Sequence, residues 1–120
     1  MKITYSKLLD LQDALRSLSK NQYHAKQAIA LARLIKRVDA EMELFDAQRL
    51  KICQTYGELD EQGADFKIPN LQRAEFAAAI NDLLAVDVDI DGEPIALTAD
   101  FVTADTILKT DGFIVFDQEG

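Results

Sequence analysis

Apolar residues between positions 24 and 56 keep a seven-residue beat. Ala28, Leu31, Ile35, Val38, Met42, Phe45, Ile52 and Tyr56 fall on alternating three- and four-residue steps, and only Arg49 interrupts the series. No Gly or Pro breaks the run before Gly57, which predicts one continuous helix. At about 1.5 Å per residue such a helix spans roughly 50 Å, more than the width of a compact chain of this length. The rest of the chain must pack along this rod or leave part of it bare.

Before it, Leu8, Leu11, Leu15 and Leu18 step by three and four, with Leu9 and Ala14 widening the face and Thr4 or Ser6 as N-cap. This predicts a helix over residues 5–19, preceded by a short strand or an extended lead-in over 1–4. Lys20, Asn21 and Gln22 form a polar turn short enough to send the rod back antiparallel, and Gly57 ends it as a left-handed cap. Residues 58–69 are a polar connection with a turn at Asp60-Glu61-Gln62-Gly63; Phe66 and Ile68 allow a small hairpin or an extended arm there. Asn70 is expected to cap a third helix over 71–84, whose Phe76, Ala79, Ile80, Leu83 and Leu84 share one face and cover the back half of the rod.

After Ala85 the period changes to two. Val86, Val88 and Ile90 alternate with Asp87 and Asp89, Asp91-Gly92 turns the chain, and Ile95 and Leu97 alternate with Ala96 and Thr98. Thr103 is expected to cap a short helix over 104–109, followed by the Asp111-Gly112 turn, a strand over 113–116 and a fraying end. The fold class is therefore α+β and mainly helical: a helical hairpin with one long central helix, a third packed helix and a small C-terminal antiparallel β element. It forms a single domain of helical hairpin (1–57), loop (58–69), helix (70–85) and acidic β/α part (86–120).

Composition narrows the function. Apolar residues make up 48% and charged residues 28%, as in a soluble fold, and no apolar run reaches the eighteen or so residues of a membrane span. The chain reads as cytoplasmic, and its single cysteine, Cys53, forms no internal disulfide. The net charge of −8 is split: residues 1–57 carry ten Lys/Arg against six Asp/Glu, and residues 58–120 carry three against fifteen. An acidic surface repels phosphates, so direct nucleic-acid binding is not expected; the charge serves solubility, and the more specific alternatives are a basic partner patch or imitation of nucleic-acid charge.

Candidate chemistry is sparse. Asp87, Asp89, Asp91 and Gly92 match the first half of a calcium loop, but position eight is Pro94, Thr98 stands where position twelve needs a bidentate Glu, and Val88 and Ile90 suit a buried strand face. His24 has no second ligand and no facing nucleophile, Cys53 reads as a partly buried thiol, and no phosphate loop or catalytic set can be assembled. Residue types thus exclude more than they assign: no enzyme, no metal, no cofactor. The acids Asp87, Asp89, Asp91 and Glu93 are the expected partner-binding face. Arg33, Lys36 and Arg37 form a second charged stripe, suited to an acidic surface such as that of another copy. Arg49 sits at a seam position; buried, it needs Glu75 or Asp82, and otherwise it reaches solvent. A polar residue at such a position often fixes register or oligomer state, so self-association is a further expectation.

Several stretches carry a resemblance: Met1-Lys2-Ile3; Ser6-Lys7-Leu8-Leu9-Asp10-Leu11-Gln12-Asp13-Ala14-Leu15; Arg49-Leu50-Lys51-Ile52-Cys53-Gln54-Thr55-Tyr56-Gly57-Glu58; Ile68-Pro69; and Glu93-Pro94-Ile95. In this order they resemble small, functionally uncharacterised proteins of tailed bacteriophages and prophages. The resemblance spans most of the chain and implies a phage origin without assigning a site. The family pattern has a longer last helix after the Thr103 cap, which Asp111-Gly112 breaks here. With the charge split, this leads to a non-enzymatic phage accessory protein that binds a macromolecular partner, as an inhibitor or modulator of a host defence or nucleic-acid-handling protein. The alternatives are a virion or tail-assembly protein that oligomerises, and a protein that sequesters a small charged ligand.

Overall fold

A computed structural model of the chain describes residues 1–63, 65–98 and 102–117. Its elements are β1 (Lys2–Thr4), α1 (Tyr5–Leu18), α2 (Ala25–Tyr56), β2 (Glu58–Leu59), β3 (Phe66–Lys67), a 3-10 turn (Asn70–Gln72), α3 (Arg73–Leu84), β4 (Asp87–Asp89), β5 (Ile95–Thr98), α4 (Ala104–Lys109) and β6 (Ile114–Asp117). The fold is mainly helical α+β and is organised on the unbroken 32-residue α2. That helix, about 48 Å long, accounts for extents of 56 × 30 × 24 Å and a radius of gyration of 17.6 Å. A compact chain of this length has a radius of about 14 Å.

The expected three-four stripes make the core. The Thr4 hydroxyl accepts from the Lys7 amide at 3.3 Å and so starts α1, whose Leu8, Leu11, Leu15 and Leu18 are buried. They pack on Leu31, Leu34, Val38, Met42 and Phe45 of α2. The Tyr23 hydroxyl donates to the Leu18 carbonyl at 2.8 Å and closes the turn between the two helices. The Tyr5 and Phe45 rings lie 5.2 Å apart, and the Tyr5 hydroxyl donates to Glu41 Oε2 at 3.4 Å. The seam shifts slightly from its expected course at both ends: Ala28 is exposed, and Cys53 rather than Ile52 is fully buried.

Two expected caps are replaced. Gly57 is extended (φ −126°, ψ 176°) rather than left-handed, because the chain runs straight from α2 into β2. Glycine is needed there for space: a Cβ would lie 2.6 Å from Ile68 Cδ1 and 2.9 Å from the Cys53 carbonyl oxygen. Asn70 makes no side-chain cap; the chain enters α3 through the 3-10 turn, in which the Pro69 carbonyl accepts from the Gln72 amide at 2.9 Å. The hairpin expected as one option over 58–69 forms, with Leu59 opposite Phe66 and Gly63 in the turn at φ +67°.

The strand pairings differ from a C-terminal antiparallel hairpin. Across the Asp91-Gly92 turn, β4 and β5 do not pair. β4 pairs antiparallel with β1, in the register Lys2 to Asp89, Ile3 to Val88 and Thr4 to Asp87. β5 and β6 pair in parallel, from Ile95 with Ile114 to Thr98 with Asp117. Connection length explains the second result: α4 lies between β5 and β6, and a helical crossover brings strands together in parallel, whereas an antiparallel pair needs only a tight turn. Burial explains the first, since Ile3 and Ile90 reach the core with Val88 packed against it. Thr103 caps α4 as expected, its hydroxyl accepting from the Thr106 amide at 3.2 Å. Gly112, at φ +85°, ends the segment that the resemblance had as a longer helix. The expected fraying of the C-terminus falls, apart from Asp117, outside the described residues.

Candidate functional site

The period-two pattern of residues 86–90 sets the orientation of the acidic segment. Ile90 is buried and Val88 half-buried, so Asp87 and Asp89 project from the opposite face of β4 into solvent. Asp91 and Glu93 continue this exposed row through the turn. The row is anchored at one point, where Asp89 Oδ1 accepts from the Met1 amino group at 3.1 Å. Beside it the Ile90 amide donates to the Met1 carbonyl at 2.9 Å. The half-match to a calcium loop is therefore a strand edge. Among the described residues no group of three or more His, Cys, Asp or Glu is placed to hold a metal ion.

The basic set lies on α2. Arg33, Lys36 and Arg37 are exposed, and among the described residues no ion pair joins them to an acid. The fold nevertheless brings one of them to the acidic turn: a Cβ built on Gly92 would lie 2.7 Å from Arg37 Nη1. Gly92 adopts φ +121°, a conformation that side chains of L residues rarely take, so the turn accommodates the guanidinium because it carries no side chain. Beyond it, Lys26, Gln27 and Ala30 of α2 face Glu93, Pro94, Ile95 and Ala96 across an open cleft of about 460 Å³. Of the basic set, Arg37 thus lies on the flank of the rod that carries the acidic turn.

Arg49 takes the solvent-facing alternative. Its side chain is half exposed and its Nε lies 3.8 Å from Asp46 Oδ1 one turn back, rather than beside Glu75 or Asp82. His24 precedes α2, is exposed and makes no side-chain cap, while its carbonyl accepts from the Ala28 amide at 2.8 Å. Cys53 is buried and unpaired.

A second cleft, of about 450 Å³, was not legible in the sequence. Residues from β1, α1, α4 and the turn before β6 line it, among them Lys2, Lys7 and Lys109, Asp10, Asp105 and Asp111, and the buried Ile3 and Phe113. Lys109 Nζ is shared between Asp105 Oδ2 at 3.0 Å and Asp13 Oδ2 at 3.3 Å, and these bonds, Asp105 first, raise its pKa above the ordinary lysine value. The Asp13 bond ties α4 to α1. Asp105 and Lys109 stand four apart on α4, but the cleft gathers charges from β1, α1, α4 and the turn before β6, which lie far apart along the chain.

What the described residues present at the acidic row and on α2 is exposed charge on fixed backbone. No helix among the described residues is long and apolar enough to cross a membrane. Comparison with protein-family models, with curated proteins and with solved structures gives no match.

Proposed function

We propose that the chain is a phage-encoded accessory protein of the host cytoplasm that acts without catalysis, by binding a basic protein partner. The partner class is a host protein of defence or nucleic-acid handling, whose phosphate-binding surface the acidic row engages stoichiometrically. The observation that carries this reading is the exposed row Asp87, Asp89, Asp91 and Glu93, whose first two members are held in register by the pairing of β4 with β1. A flexible acidic tail would lose entropy on docking; a row fixed by strand pairing loses less.

The test is capture of a partner from matched host lysate at low and high salt. It compares the wild type with a variant carrying Asp87→Asn, Asp89→Asn, Asp91→Asn and Glu93→Gln. Retention should fall steeply as salt shortens the screening length from about 10 Å at 0.1 M to about 3 Å at 1 M, and the variant should retain little at any salt. A partner held equally well at both salts, or by the variant, removes the acidic row from the account.

A second reading, assembly of a phage structural oligomer, is favoured by the bare outer side of α2, where Ile29, Leu44 and Leu50 are all exposed. Exposed apolar residues on a rigid helix favour packing against a second helix.

A further inference from the structure

The face of α2 turned away from the core carries a second three-four series. Ile29, Ala32, Lys36, Ala40, Glu43, Ala47 and Leu50 follow one another at coiled-coil spacing, and every one of them is exposed. Its ends are large and apolar, with Ile29 and Leu50 each about half exposed. Next to the ends come small residues, then one cation and one anion, with Ala40 near the middle.

The order of the series reverses onto itself. When a second α2 is laid antiparallel across the first about a two-fold axis between Asp39 and Ala40, Ile29 meets Leu50, Ala32 meets Ala47, and Lys36 meets Glu43. Each of these contacts occurs twice, once on either side of the two-fold axis. The small side chains at 32, 40 and 47 let the two backbones approach closely. Arg33 of one copy then lies toward Asp46 of the other, at the rim. In a parallel alignment the same helices would set Lys36 against Lys36 and Glu43 against Glu43. The sequence of this face therefore selects both an occupant and an orientation.

We infer that the outer face of α2 is a self-association surface on which a second copy of this chain lies antiparallel, centred between Asp39 and Ala40. The seven contact residues span about 32 Å of helix at 1.5 Å per residue. This is fewer residues than the 20–30 per side of a standard stable interface, so the dimer dissociates readily. The surface is the one that the second reading above uses, but the inference does not depend on a phage role. It leaves the acidic row free, so loss of dimerisation and loss of partner capture are separate results.

Sedimentation equilibrium over a concentration series tests it, with circular dichroism to establish that each variant keeps its helix content; all the altered residues are exposed, so folding should be unaffected. The wild type should show a reversible monomer–dimer equilibrium that weakens with salt. Lys36→Glu alone, and Glu43→Lys alone, each place like charges at both symmetric contacts and should weaken association about tenfold or more. The double variant Lys36→Glu/Glu43→Lys restores complementary contacts and should return to wild-type affinity. An equimolar mixture of the two single variants should dimerise where neither does alone. A wild type that stays monomeric at about 1 mM, single variants that dimerise as well as the wild type, or a double variant that stays weak would each overturn the inference.

Discussion

Replacing Gly92 with alanine probes how the acidic turn is seated on the rod. Two costs can be separated. The first is conformational: φ is +121° at this position, and holding a residue with a Cβ in a region reserved for glycine costs about 1–3 kcal/mol. Against this, alanine restricts the unfolded chain and returns about 0.4–1 kcal/mol. The second cost is steric, since the new Cβ would lie 2.7 Å from Arg37 Nη1 and 3.4 Å from Cζ. Those atoms are the far end of a flexible, exposed side chain, which can swing aside at little cost. The net loss should therefore be about 1–2 kcal/mol and should come from the backbone. With an unfolding entropy of about 2.1 cal/mol/K per residue, this chain should lose about 4–8 °C in Tm. Urea denaturation followed by circular dichroism, run on Gly92→Ala, Arg37→Ala and the double variant, measures the partition. Backbone strain predicts the same Gly92→Ala loss in both backgrounds, within about 0.5 kcal/mol. If removing Arg37 abolishes the loss, the steric cost is dominant and the reasoning is wrong; if Gly92→Ala is as stable as the wild type, the turn does not have this conformation.

Truncating Val38, fully buried where α2 crosses α1, to alanine should cost about 2 kcal/mol, and Leu11→Ala about 3 kcal/mol, read from denaturation midpoints. Thr103→Ala removes the hydroxyl that accepts from the Thr106 amide and should cost about 1 kcal/mol, with Thr103→Ser recovering most of it. Alkaline pH should destabilise the fold. The Lys109 pKa is raised by its bonds to Asp105 and Asp13, and the Tyr5 pKa by burial and then by the Glu41 charge. Both folded values lie above the unfolded ones, so their stabilisation is complete below pH 10 and is lost as pH rises through the folded values. Lys109→Met should flatten the fall in denaturation midpoint between pH 9 and 11, and an unchanged slope would remove Lys109 from this account.

Helices were legible wherever burial repeats every three to four residues. The stripes on α1 and α2 and the Thr103 cap depend only on near neighbours in sequence, and these came through with their boundaries nearly intact. Strand partners were not legible, because pairing depends on residues far apart along the chain. The alternation of Val88 with its acidic neighbours shows that β4 is a strand and which face is wet, but nothing local says that it pairs with Ile3 instead of Ile95. The presence of α4 between β5 and β6 was a signal for parallel pairing that the turn at Asp91-Gly92 outweighed in the sequence reading. Arg49 illustrates a different limit: periodicity places it on the inner side of α2, but whether a neighbour covers it depends on tertiary packing, and none buries it. Of the candidate site, the exposure of the acids could be read from period two. The approach of Arg37 to Gly92 could not, since it arises only when the turn folds back on the rod.

The clasp between β1 and β4 has a consequence for how the chain is made. Thr4 emerges from the ribosome before α1, but its strand partner Asp87 is synthesised only after both long helices and α3. Closing so large a loop costs about 4 kcal/mol in chain entropy. The helical hairpin can gather beforehand through contacts between neighbouring segments, while Ile3 waits without a place. Maturation is thus ordered in time, with β1 made before the helices yet among the last elements to settle.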